Sequence, residues 1–247
     1  MGYDVKPKMI LFDVGGTLFD DGPCCPADGF EALRLAAENP DITDSSALSA
    51  LWYEYFDEVS GIKSKSGTVL DVPLSAVIKY ASMNTGLRFN IPMPEQEEIF
   101  DRYNSSRAVI DGVPELLTQI EALGIRTAVI SNNAMSGEGL ALAIRRFIPT
   151  ANFEFYLTSA DLLLTKPCKQ IFSAAASYAQ LDPAECWYCG DGRIPDVTGA
   201  KNGGMSPILL KKDARLPLET CNDGNDGEYL TINHWNVLKE YISNLQA

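Results

Sequence analysis

The chain predicts a doubly wound, Rossmann-like α/β sheet with a parallel core and a helical insertion, and three observations carry that prediction. Apolar runs of strand length end repeatedly in small or polar residues. Helical apolar stripes fall between them, and the long stretch after the first run reads as helix throughout. Strands buried on both faces need continuous apolar sequence, whereas half-exposed antiparallel strands alternate.

The first strand is Met9 to Val14, closed by Gly15-Gly16. A second covers Thr127 to Ile130 and ends in Ser131-Asn132-Asn133; a third lies around Phe153 to Leu157. A fourth covers Cys186 to Cys189, ending in Gly190-Asp191-Gly192, and a fifth runs from Pro207 to Leu210. Leu116, Leu117, Ile120 and Leu123 give a helix stopped by Gly124. Leu140, Ile144 and Phe147 give the next, Ile171, Ala174, Ala175 and Tyr178 another, and Trp235, Leu238, Ile242 and Leu245 the last.

The insertion covers roughly residues 22–106, leaving 1–21 and 107–247 as the α/β core. Thr43 or Asp44 is placed to cap a helix with the stripe Leu48, Leu51, Trp52, Tyr55, Phe56 and Val59. Leu74, Val77, Ile78 and Ala81 give a second stripe, and Pro94 to Arg107 reads as a third helix. The Asp-, Asn- and Gly-rich segment 211–228 reads as a surface loop.

Composition excludes several classes. With 20 Lys+Arg against 33 Asp+Glu the formal net charge is −13, which disfavours nucleic-acid phosphates while leaving room for a locally positive site. No apolar run reaches the roughly 18–20 residues of a membrane span. The N-terminus lacks a signal-peptide apolar region, and Gly2 lacks the downstream Ser or Thr of a myristoylation site, so a cytoplasmic location is expected. Cys186 and Cys189 form a C-x-x-C, but inside an apolar strand they read as buried thiols. With His234 the single histidine and no obvious partner for it, a Ser/His/Asp or Cys/His system is disfavoured.

Ligands of open α/β sheets bind beyond the carboxyl ends of the strands. Those ends carry Asp13, Ser131, and Asp191 with Asp196, while Lys166 precedes a helix in TKPCKQIF. Carboxylate oxygens suit Mg²⁺, a hydroxyl and an ammonium suit phosphate, and Gly15-Gly16 lets backbone approach. Singly, each has a bland reading: Asp13 as a turn former, Ser131 and Asn132 as helix caps, Asp196 as a helix N-terminal charge.

Taken in order, FDVGGTL at 12–18, VISNN at 129–133, TKPCKQIF and GDGRIPDVTGAKNGGM at 190–205 resemble the four motifs of the haloacid dehalogenase-like hydrolases. The resemblance implies that the insertion is that family's cap and that Asp13 is a nucleophile forming an aspartyl phosphate. It implies Mg²⁺ held by Asp13, the backbone carbonyl of Gly15 and Asp191, with Asp196 orienting the metal shell. It further implies that Ser131, the backbone near Asn132, and Lys166 hold the transferring phosphoryl oxygens of a small phosphorylated substrate.

One departure stands out. Most phosphatases of the family carry a second Asp two residues after the nucleophile, which protonates the leaving group; here that residue is Gly15. Asp20 and Asp21 read as a solvated turn, with replacement of that acid as the alternative. Lys63 and Lys65 read as solvated lysines, with contact to an anionic substrate as the alternative. Two rivals to a Mg²⁺-dependent phosphatase remain: a binding protein without turnover, kept open by Gly15, and a 2-haloacid dehalogenase, opposed by Asp191 and by the lack of Tyr at 15.

Overall fold

Residues 9–12 read MILF, and β1 (Met9–Phe12) is buried along its whole length. Met9 and Leu11 point into one apolar cluster, Ile10 and Phe12 into another, so the strand lies at the centre of a sheet covered on both faces. The computed structural model describes residues 3–66, 71–222, 224 and 227–245, the side chains of 60–66 excepted. The side chains of Lys63 and Lys65 therefore lie outside the described residues.

Two strands flank β1 in parallel, β4 (Arg126–Ser131) and β6 (Cys186–Gly190). β5 (Tyr156–Thr158) lies beyond β4, and β7 (Ser206–Leu210) and β9 (Glu228–Ile232) lie beyond β6. The edge strand β8 (Leu218–Asn222) is antiparallel to β9, which completes the order β5-β4-β1-β6-β7-β9-β8. α5 (Val113–Ala122), α6 (Gly137–Phe147), α8 (Lys169–Ala179) and α10 (Trp235–Asn244) follow the expected stripes, with the short helices α7 (Ser159–Leu162) and α9 (Gly199–Asn202) between them. Trp235 is fully buried, and its indole N–H donates to the Thr17 carbonyl at 2.9 Å, fastening α10 to the loop after β1.

The strands β2 (Phe19–Cys24) and β3 (Ser105–Val109) form a separate antiparallel ribbon. Between them lie α1 (Pro26–Ala36), α2 (Ser45–Ser66), α3 (Leu74–Thr85) and α4 (Met93–Asn104). Asp44, rather than Thr43, caps α2, its carboxylate accepting from the Ala47 N–H at 2.8 Å. Trp52 of α2 stacks on Phe100 of α4 at 5.2 Å, and Leu74, Val77, Ile78 and Ala81 are all buried. α4 is also tied to α6. Glu97 accepts from the Ser136 N–H and hydroxyl, and Arg146 lies 3.5 Å from Glu98 and 3.6 Å from Asp101.

Several expectations need correction. The helix read over 94–107 stops at Asn104, because Ser105 to Val109 pair across to Phe19–Cys24. The loop read over 211–228 contains β8, a polar edge strand held by its ladder to β9. The third strand begins at Tyr156 rather than Phe153. α1 and the β2–β3 ribbon were not anticipated. Among the described residues no helix is long and apolar enough to cross a membrane.

Candidate active site

β1 ends one residue before Asp13, whose N–H still donates to the Cys189 carbonyl at 2.9 Å, continuing the ladder toward β6. β6 ends at Gly190, so Asp191 is delivered to the same edge of the sheet. The chain then makes a π-helical turn, Arg193–Thr198, which carries the buried Asp196 back toward the strand ends. A Cβ at Gly190 would overlap the Asp196 carboxylate, and one at Gly16, which has φ +68°, would overlap that of Asp191. One oxygen from each of Asp13, Asp191 and Asp196 lies within 4.8 Å of the others.

Among the described residues a single buried cation faces this cluster. The Lys166 ammonium lies 2.9 Å from Asp13 and 2.7 Å from Asp196, and it donates to the Tyr188 hydroxyl at 2.8 Å. The Tyr188 hydroxyl in turn donates to the Ile130 carbonyl at 2.9 Å. Asp196 has both oxygens engaged: Oδ1 accepts from Lys166 and Oδ2 from the Gly192 N–H at 2.7 Å. Its reach is thereby spent on holding Lys166 and its own loop.

Three carboxylates against one ammonium leave an excess of two negative charges. Partial burial of its carboxyl raises the Asp191 pKa even though the residue as a whole is exposed, and the like charge of Asp13 adds to this against opposing fields from Lys166 and Lys212. Burial likewise raises the pKa of Asp196, with Lys166 opposing. An all-oxygen donor set with this charge excess fits a divalent cation such as Mg²⁺. Gly15 follows Asp13 by two residues in the same loop.

Ser131 ends β4 and is buried at the same edge of the sheet. The Asn132 side chain is committed elsewhere: its Oδ1 accepts from the Lys166 N–H at 2.8 Å and its amide donates to the Lys166 carbonyl at 3.1 Å. Asn132 thus fixes the backbone of the residue that supplies the cation. All the sequence-predicted residues, Asp13, Gly15, Ser131, Asn132, Lys166, Asp191 and Asp196, belong to the loops or strand ends at this one edge.

Sequence reasoning missed Tyr188, hidden in the apolar run of β6, and Lys212, which pairs with Asp20 and acts on Asp191. It also read Asp21 as part of a solvated turn. Asp21 lies instead on β2, opposite Arg107 of β3, and Arg107 Nε donates to its Oδ1 at 3.0 Å. Its Oδ2 lies 2.5 Å from the point where a Cβ on Gly15 would stand. The available signal was its place just beyond the first motif, which made replacement of the missing acid the alternative reading.

Cys186 and Cys189 are free and buried, and they belong to different clusters on opposite faces of the sheet. Burial pushes the Cys186 thiol up to about 11, as expected of an inert core cysteine. His234, expected to lack a partner, has one: its Nε2 lies 3.1 Å from Asp111 while Nδ1 accepts from the Asn236 N–H at the start of α10.

This sheet, the ordered strand-end motifs and the acidic cluster define a hydrolase class. Residues 7–204 match the haloacid dehalogenase-like hydrolase family, and the chain belongs to it. Among curated relatives, it is 26% identical over 214 residues to an N-acetylmuramic acid 6-phosphate phosphatase of Pseudomonas aeruginosa, covering 84% of this chain and 83% of that protein. It is 25% identical over 242 residues to a glyceraldehyde 3-phosphate phosphatase of Methanothermobacter thermautotrophicus, covering 95% and 99%. Among solved structures, a 2-haloacid dehalogenase from Pseudomonas syringae aligns with TM-score 0.58 at 22% identity, over 98% of this chain and all of that one (100%), a likeness of fold.

Proposed function

We propose that the protein is a Mg²⁺-dependent phosphatase of a small phosphate monoester, acting through an aspartyl phosphate on Asp13. The observation that carries this reading is the arrangement of Asp13, Asp191 and Asp196 within 4.8 Å, with Lys166 buried against two of them. A reaction at carbon has no use for the additional carboxylate of Asp191, whereas phosphoryl transfer needs its charge neutralised. Two relatives, matched over 83% and 99% of their length, are phosphatases by name.

In this reading Asp13, the Gly15 carbonyl and Asp191 hold the metal, and Asp196 keeps Lys166 and the adjoining loop in place. When bound, Mg²⁺ supplies charge neutralisation for the transferring phosphoryl group. Asp13 presents one oxygen to phosphorus, and its attack breaks the bond to the leaving oxygen. Ser131, the N–H groups of the Asn132 turn and Lys166 hold the phosphoryl oxygens. The helical insertion, residues 22–106, acts as a cap domain over the core of 1–21 and 107–247.

The test is phosphate release from p-nitrophenyl phosphate, acetyl phosphate and a panel of phosphorylated metabolites, with Mg²⁺ and with EDTA. Activity should require Mg²⁺ and disappear in Asp13→Asn, whose amide is a far poorer nucleophile. Undiminished turnover by that variant would place the nucleophile elsewhere, and no turnover by the wild-type chain on any substrate would favour a binding protein.

A further inference from the structure

The reaction on Asp13 has two halves, and the second needs a group the residues above do not supply. Once the phosphoryl group is on Asp13, water must attack phosphorus. The water–phosphorus bond forms, the bond from phosphorus to the Asp13 oxygen breaks, and one proton of the water must leave. Around the strand ends the other carboxylates have tasks: Asp13 carries the phosphoryl group, Asp191 is assigned to the metal in the reading above, Asp196 is held by Lys166 and the Gly192 N–H, and Asp20 pairs with Lys212.

Asp21 is placed differently. Register in the β2–β3 ribbon sets it directly opposite Arg107, and the pairing is then interrupted by an irregularity before Cys24, a device that re-aims strand side chains. Arg107 is itself fixed, being mostly buried, with Nε on Asp21 at 3.0 Å and a terminal nitrogen on Asp101 at 2.9 Å. This clamp takes Oδ1 and turns Oδ2 to the room beside Gly15, two residues from the nucleophile, where a Cβ would lie 2.5 Å from it. An ion-paired carboxylate is an acceptor only. Asp21 also remains half exposed, at 50% of its side chain, so a proton it receives has a path to bulk water.

We propose that Asp21 is the general base that takes the proton from the water hydrolysing the aspartyl phosphate, and that Arg107 is its positioning residue. The assignment rests on the phosphatase reading above. Asp21 accepts the proton as the phosphorus–Asp13 bond breaks, Asp13 is restored as a carboxylate, inorganic phosphate leaves, and Asp21 releases its proton to solvent. The absence of a side chain at position 15 is then what admits the base.

Rapid-quench kinetics of the full chain with Mg²⁺ and p-nitrophenyl phosphate test this, with the phosphoenzyme followed by intact mass. Asp21→Asn should release a first equivalent of p-nitrophenolate at near the wild-type rate. Steady turnover should then fall on the order of 10²- to 10³-fold, within the range of general-base contributions, while phosphoenzyme accumulates. Gly15→Ala gives a second test without substituting Asp21. Its methyl must push Oδ2 aside, so it should also accumulate phosphoenzyme while its melting temperature reports on folding. Arg107→Ala should do the same, and Arg107→Lys should recover part of the loss.

Steady turnover of Asp21→Asn within about threefold of wild type is too small a loss for a general base and overturns the assignment. An equal slowing of the first turnover with no accumulation also overturns it. In both cases a wild-type phosphoenzyme leaves the phosphatase reading standing. If wild type forms no phosphoenzyme at all, that reading falls and takes this one with it.

Discussion

Lys166→Met removes the one ammonium buried against Asp13 and Asp196 while keeping most of the side-chain volume. Wild-type Lys166 has 1% of its side chain exposed, with 14% for Asp13 and 2% for Asp196, so solvent cannot take over the lost charge. Breaking a buried pair by deleting one partner costs about 3–5 kcal/mol, because the other charge stays behind uncompensated. For a chain of this size that corresponds to a melting temperature lower by roughly 6–20 °C.

The same reasoning fixes a pH dependence. The Asp196 pKa is already raised by burial above its ordinary 3.8, and Lys166 is what opposes that rise. Without Lys166 it rises further, so the native variant keeps protons that its unfolded chain has released. Stability of the variant therefore declines as pH rises above about 4, and its deficit is larger at pH 8 than at pH 5. Urea unfolding of both proteins in EDTA at the two pH values measures it. A deficit below about 1 kcal/mol, the size of a surface pair, would refute the buried-pair argument, as would a deficit equal at both pH values.

Two further outcomes follow from the same site. Mg²⁺ should raise the melting temperature of wild type, a gain of about 2.7 kcal/mol at a hundredfold excess over Kd, and raise that of Asp191→Asn much less; equal shifts in a thermal titration would remove Asp191 from the metal site. Gly15→Asp, which from sequence alone should add an acid and speed alkyl phosphates on the order of tenfold, should instead slow them, since the new side chain must displace Asp21 from 2.5 Å away. Steady-state rates on alkyl and aryl phosphates decide between the two.

The core was legible in the sequence because strands buried on both faces leave continuous apolar runs, as MILF in β1 and the fully buried β6 do. The residues at the ends of these runs converge because a parallel sheet brings all its carboxyl ends to one edge. What escaped was whatever depends on pairing rather than on periodicity. Ser105 to Val109 follow a helix without a break, and only Phe19 to Cys24 on the far side of the insertion make them a strand. Asp21 could not be placed for the same reason, since its direction is set by Arg107, far away in sequence. Tyr188 was counted as apolar filling, because a hydroxyl aimed at Lys166 leaves no trace in a hydrophobic pattern.

The ribbon that carries Asp21 also bears on how such a chain changes over generations. β2 and β3 hold the two ends of the helical segment side by side, as cross-strand neighbours. A segment entered and left at one point can lengthen, shorten or be exchanged without altering any strand register in the main sheet. The entropic charge for doubling a closed segment is only about 0.6 kcal/mol, well below the stability of a typical domain. Selection can therefore rewrite this segment through gene-level insertion and deletion. Asp21 and Arg107, paired across the ribbon itself, stay with its two strands and not with the exchangeable part.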